Sequence, residues 1–344
     1  MPNHQWNNPS SNSFALSSEE YDLAVPNAAS LMQSLRAFGY DIATAVADLI
    51  DNSITAQANR ISVQFEWNNG NPWISISDNG YGMTEDELFE AMKPGSKNPL
   101  DERSENDLGR FGLGLKTASL SQCKRLTVAS KKDGGRICCR CWDLDVVTQK
   151  NAWLLLKVPT ETAATIIQKH LDKCPSGTIV IWEKIDRIIP GEHVGDEEYQ
   201  RAFLNYAQSV KERISVVFSS YMSGPHKVAF EMNGREISMW DPFMTDNPLT
   251  TRMPTEYLYV NGNEVKIKTF ILPHQKKLSS NEFSLYAGAH GWNAQQGFYI
   301  FRNNRLIVEG SWLLNGFEKA EQYRLARIRI DIGKETESEW NIDV

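Results

Sequence analysis

Apolar positions in this chain recur with two periods, and the switch between them divides it into elements. Residues 28–38 read as a helix that ends at Gly39. Ile42, Val46, Leu49 and Ile50 then recur at helical spacing, predicting a helix over 42–58 with Asp41 as its N-cap. The period drops to two at Ile61, Val63 and Phe65, and again at Ile74 and Ile76, with Asn69-Gly70-Asn71-Pro72 as the turn between two strands. A short helix follows at 85–92, with Thr84 placed to cap it. The polar stretch 94–108 is longer than an ordinary loop and suits a lid. Beyond it the pattern predicts a helix from about Gly112 through Leu120, strands at 126–130, 136–143, 153–158 and 178–182, and a helix at 160–173.

Patterning changes near Pro190-Gly191, where a long helix, 198–219, leads into a strand-rich half. Strands are expected at 228–232, 257–260, 265–272, 283–286, 297–302, 305–308 and 325–332, with Asn261-Gly262 and Asn303-Asn304 as hairpin turns. Runs of strands with separate helices indicate α+β architecture in both halves rather than a doubly wound parallel sheet. The expected organisation is an N-terminal arm over 1–25, a first domain over 26–190 and a second over 191–344; 344 residues suit two domains.

Bulk properties narrow the function classes. A net charge of −7 argues against a uniformly basic nucleic-acid surface and leaves room only for a local patch. Lys124, Arg125, Lys131, Lys132, Arg136 and Arg140 are the candidates for one, against the plainer reading of a solvated sheet edge. No apolar run is long enough to cross a bilayer, and the polar N-terminus lacks the pattern of a signal peptide, so a cytoplasmic location is expected. The five cysteines lack paired zinc-ligand spacing and read as buried thiols.

Three segments carry chemistry. In Ala47-Asp48-Leu49-Ile50-Asp51-Asn52, Asp48 and Asn52 stand one turn apart on a helix face, with Asp51 close by. A carboxylate and an amide side by side suit water activation and Mg²⁺, which prefers oxygen ligands; an ordinary capped or solvated helix is the plainer alternative. Asp78-Asn79-Gly80-Tyr81-Gly82-Met83 follows a strand, where a carboxylate can accept from an exocyclic amine and glycines let the chain approach a flat ring; a surface turn is the alternative. Gly109-x-x-Gly112-x-Gly114-x-Lys116 enters a helix, where backbone N–H groups bind phosphate. It follows no first strand of a βαβ unit and lacks the Walker spacing, so neither a dinucleotide loop nor a P-loop fits.

Together and in this order, with Ser176-Gly177-Thr178 following, these segments resemble the GHKL ATPase superfamily of gyrase B, MutL, the MORC ATPases, the large heat-shock chaperone and the histidine kinases. The segment Gly109-Arg110-Phe111-Gly112-Leu113-Gly114-Leu115-Lys116 looks most like the MORC branch. The resemblance implies a Bergerat-type α/β sandwich followed by a transducer-like, S5-like α+β domain, with ATP and Mg²⁺ as cofactors. It makes Asp48 the general base, where most relatives carry Glu, and Asn52 the Mg²⁺ ligand. It puts Asp78 on the adenine amine, with Gly82 giving the base room and Met83 packing on it. Gly109 through Lys116, including Arg110, Phe111, Gly112, Leu113, Gly114 and Leu115, would line the phosphates. Thr178 would lie near the adenine, and Lys97 would reach from the lid. The transducer's phosphate-sensing lysine is expected beyond Val344, with Lys334 a weaker candidate.

Two functions follow. One is a slow ATPase working as a nucleotide-gated homodimeric clamp, with DNA as a candidate partner and antiviral (anti-phage) defence as a setting; proteins of the same operon or a C-terminal module beyond Val344 are further candidate partners. The other is a non-catalytic, ATP-dependent scaffold or chaperone-like module, favoured if the shorter Asp48 is ineffective.

Overall fold

The computed structural model describes residues 26–37, 39–95, 114–187, 197–288, 290–313 and 318–333. Its first helix, α1 (Ala28–Arg36), begins where the Asn27 side chain accepts the Ser30 N–H. In α2 (Ile42–Thr55), Asp41 accepts the N–H groups of Ala43 and Thr44, so two otherwise unpaired donors are satisfied. Strands β1 (Arg60–Glu66) and β2 (Trp73–Asp78) pair antiparallel. Helix α3 (Glu85–Met92) starts on a capping box formed by Thr84 and Glu87. Then come α4 (Gly114–Leu120), β3 (Arg125–Lys131), β4 (Cys138–Asp143), α5 (Leu144–Lys150), α6 (Glu161–Leu171) and β5 (Gly177–Glu183). The long α7 (Glu197–Val217) leads to β6 (Ala229–Met232) and β7 (Arg235–Glu236). The chain continues through β8 (Thr251–Arg252), β9 (Glu256–Val260), β10 (Asn263–Ile271), α8 (Ser280–Tyr286), β11 (Gly297–Arg302), β12 (Arg305–Ser311) and β13 (Ala326–Ile332).

The first sheet runs β4-β3-β5-β2-β1-β6-β7, antiparallel throughout except between β1 and β6. Alternation along β5 explains how it is covered on both faces. Val180 and Trp182 join the large core shared with α2, α4 and α7, whereas Ile179 and Ile181 meet Ala163, Ile167 and Leu171 of α6. The second sheet runs β12-β11-β13-β10-β8, with β9 also on β10, and only β11 and β13 are parallel. Phe243, Phe270, Tyr299, Phe301 and Leu306 belong to the same apolar core as Ile50 of α2 and Val210 and Val217 of α7. That shared core holds β12 against the helix layer of the first sheet.

The α+β reading holds in both halves, and three local expectations change. The strand expected at 228–232 forms, but it pairs with β1, because α7 returns the chain to the edge of the first sheet. The strand expected at 153–158 reduces to one bridge between Cys141 and Leu156, and α5 precedes it. Residues 283–286 are helical: Ser279 and Glu282 form a capping box, and Phe283 stacks on Trp292 with ring centroids 5.1 Å apart. A run of four residues carries too little periodicity to separate strand from helix.

Candidate functional site

Helix α2 presents a graded polar face. Asn52 is exposed, Asp48 half-buried, and Asp51 and Ser53 buried. The Tyr40 hydroxyl, one residue before the cap, is hydrogen-bonded to Asp48 and to Thr117 of α4. From β12 the buried Arg305 reaches the same face. Its Nη2 lies 3.5 Å from Asp48 Oδ1 and its Nε 2.6 Å from Asp51 Oδ2. The Nε–H is not aimed at that oxygen, so the contact is ionic, and Asp51 Oδ1 is left without a hydrogen-bond partner. Burial raises the Asp48 carboxyl above its ordinary value, against the pull of Arg305 and Tyr40. Burial pushes Asp51 further, to about 7, despite Arg305.

One turn along, α2 is tied to the end of β2. Ser53 donates its hydroxyl to Asp78 Oδ2 at 2.9 Å, while Gly80 N–H and Thr178 N–H donate to Oδ1 at 2.9 and 3.3 Å. Burial raises the Asp78 carboxyl, and these donors and the nearby His170 partly offset it. Thr178 stands opposite Asp78 in the β2–β5 ladder and opposite Ser130 in the β3–β5 ladder. The Ser130 and Thr178 hydroxyls are 2.8 Å apart, and Ser130 Oγ also accepts the Met83 N–H at 2.8 Å. Asp78, Thr178, Ser130, Ser53 and Met83 therefore form one continuous group at the strand ends.

The predicted residues fare differently. Asp48 and Asn52 share a helix that is bonded to Asp78 through Ser53, and Asp78 and Thr178 are direct neighbours. Gly82 adopts a left-handed φ of 66°, and a Cβ there would lie 2.0 Å from the Lys131 carbonyl oxygen. Close approach of β3 therefore demands the glycine, where room for a base was expected. Gly114, Leu115 and Lys116 open α4, which packs beside α2, and Leu115 rests on the core. Lys116 is buried, and its Nζ donates to the Ala91 carbonyl at 2.8 Å. Lys97, Gly109, Arg110, Phe111, Gly112, Leu113 and Lys334 lie outside the described residues.

The candidate basic patch is largely neutralised. Arg125 pairs with Asp143, Lys132 with Glu87 and Arg140 with Glu85, while Lys131 Nζ donates to the Leu171 and Cys174 carbonyls. Residues the sequence did not single out are Ser53, Tyr40, Ser130, Asp51 as a buried anchor, and Arg305. Ser53 carried a signal, since it directly follows Asn52. Arg305 carried none, because a cation after a hairpin turn reads as solvated until the pairing is known.

The donor set fits an adenine nucleotide. A buried carboxylate ringed by small hydroxyl residues can accept an exocyclic amine, and the exposed Asn52 amide suits Mg²⁺, which takes oxygen ligands and keeps several from water and phosphate. Among the described residues, no group of three or more His, Cys, Asp or Glu residues is placed to hold a metal on its own.

Residues 40–178 match the family model described as histidine kinase-, DNA gyrase B-, and HSP90-like ATPase. A 90-residue stretch is 38% identical to the DNA mismatch repair protein MutL of Thermotoga maritima, covering 25% of this chain and 17% of that protein. Another of 91 residues is 30% identical to the ATPase morc-1 of Caenorhabditis elegans, covering 26% and 10% respectively. A longer match, 23% identical over 265 residues, links 70% of this chain to 42% of the MutL of Histophilus somni. The chain thus matches less than a fifth of the first two relatives and less than half of the third.

Proposed function

We propose, from the match of residues 40–178 to the histidine kinase-, DNA gyrase B-, and HSP90-like ATPases, that this protein binds ATP with Mg²⁺ and hydrolyses it slowly. The observation that supports the reading is the convergence on Asp78: its carboxylate accepts from Ser53 of α2 and from the Thr178 N–H of β5, and α2 also carries Asp48 and Asn52. Asp78 would accept the adenine amino group, beside Thr178 and Ser130. Asn52 would hold Mg²⁺, which when bound neutralises phosphate charge. Asp48 would take the proton from the attacking water. The new bond forms between that water oxygen and the γ-phosphorus, the bond to the β-phosphate oxygen breaks, and ADP and phosphate leave.

The clamp is part of the same proposal: a second copy of this chain would pair with it when nucleotide is bound, because the γ-phosphate is the contact that can favour a closed state. The likeness to MutL, a DNA mismatch repair protein, supports DNA as a candidate partner. The competing reading is a non-catalytic scaffold, in which Asp48, one methylene shorter than Glu, is too short to activate water. Phosphate release by the wild type and by Asp48→Ala separates the two. Turnover that the substitution abolishes, with ATP binding retained, supports hydrolysis; equal background in both supports the scaffold.

A further inference from the structure

We infer that Arg305 is a positioning residue: from the second sheet it fixes the Asp48 carboxylate, so that hydrolysis depends on how β12 is docked against α2. The inference rests on the reading of Asp48 as the base.

The backbone that presents Arg305 is held by a tight turn and a hydrogen bond from a distant element. Asn303 and Asn304 both adopt left-handed φ, 47° and 68°, in the two-residue turn between β11 and β12. Tyr221, in the turn after α7, donates its hydroxyl to the Asn303 carbonyl at 2.6 Å. Since α7 packs along α2, the turn is tied to the helix that carries the carboxylates. Arg305 leaves this turn directly and is almost wholly buried.

Its guanidinium spans two carboxylates that stand one turn apart. The close contact, 2.6 Å, falls on Asp51 and the looser one, 3.5 Å, on Asp48. Arg305 thus anchors on Asp51 and orients Asp48. A guanidinium can serve both at once because its donors are spread over a planar fork, whereas an ammonium is a point charge. The Tyr40 hydroxyl is also hydrogen-bonded to Asp48 and to Thr117. The carboxylate thus has one partner from the loop before α2 and one from the second sheet. Orientation matters more for Asp than for Glu, because the shorter side chain has less reach to a water, and a misplacement of about 1 Å can cost on the order of 100-fold in rate. Any movement of β12 relative to α2 therefore moves the base.

The test compares the wild type and Asp48→Ala with Arg305→Met, Arg305→Lys and the double variant Arg305→Met/Asp51→Asn, reading kcat and KM for ATP together with the melting temperature. The double variant removes the buried charge that Arg305→Met alone would leave unpaired. A folded double variant should lose kcat on the order of 10- to 100-fold with KM within about threefold. Arg305→Lys should recover part of the loss. A folded double variant with kcat within about twofold of wild type overturns the inference, as does a raised KM with kcat unchanged. Wild-type turnover no greater than that of Asp48→Ala overturns the assignment of the base, and the inference with it.

Discussion

The Ser53 hydroxyl donates to Asp78 Oδ2 across 2.9 Å, joining helix α2 to the last residue of β2 in a buried environment. This bond makes two distant segments one site. Ser53→Ala should cost about 1.5–3 kcal/mol, the range for a hydrogen bond to a charged group, because Asp78 loses one of the donors that offset its burial. Denaturant midpoints measure the loss, and ATP affinity should fall with it.

Arg305 supplies a second stability prediction. Removing one partner of a buried ion pair leaves the other charge uncompensated, at a cost of about 3–5 kcal/mol. Arg305→Met should therefore be destabilised most above about pH 7, where the buried Asp51 would have to carry its charge unpaired. Asp51→Asn in that background should recover much of the loss, because the remaining buried group is neutral. Chemical unfolding of the two variants tests this; equal stability would mean that Arg305 and Asp51 are not coupled.

Gly82→Ala should destabilise by about 2 kcal/mol or more, through the left-handed backbone and the overlap with the Lys131 carbonyl. If the glycine served only to admit a base, the variant would keep wild-type stability and lose nucleotide affinity alone. Thermal melting without nucleotide distinguishes these outcomes.

Asp143 predicts an acid-side loss of stability. Burial alone would raise its carboxyl, but hydrogen bonds from Arg125 and Lys184, and their charges, outweigh that and hold it below its ordinary value. The folded protein then binds this proton less readily than the unfolded chain. The stabilisation is full above the unfolded value of about 3.9 and is lost as pH falls through the folded value. Asp143→Asn should accordingly be much less stable than wild type at neutral pH, and the gap should narrow steeply below about pH 4.

Much of this architecture was legible in the chain because local chemistry fixed it. Asp41 and Thr84 cap the helices they were expected to cap, and the alternation at Ile61, Val63 and Phe65 is a strand with those residues buried. Asp48, Asn52, Asp78 and Thr178 could be grouped because each sits in a short segment with its own chemical logic. What local pattern could not convey was pairing at long range. Strand β6 looks like part of the second half, yet its hydrogen bonds go to β1. Arg305 lies 257 residues from Asp48, and only the folded core brings β12 to α2. The contact between Lys116 and the Ala91 carbonyl was likewise invisible in the glycine-rich segment that carries the lysine. A four-residue run such as 283–286 fits either period until Trp292 supplies a face to pack on.

The most direct test of the nucleotide site is a crystal structure with a non-hydrolysable ATP analogue and Mg²⁺ at saturating concentration. The adenine amino group is expected within hydrogen-bonding distance of the Asp78 carboxylate, the metal on the Asn52 amide oxygen, and the terminal phosphate facing Asp48. An analogue bound away from Asp78, or no bound analogue at all, would contradict that placement.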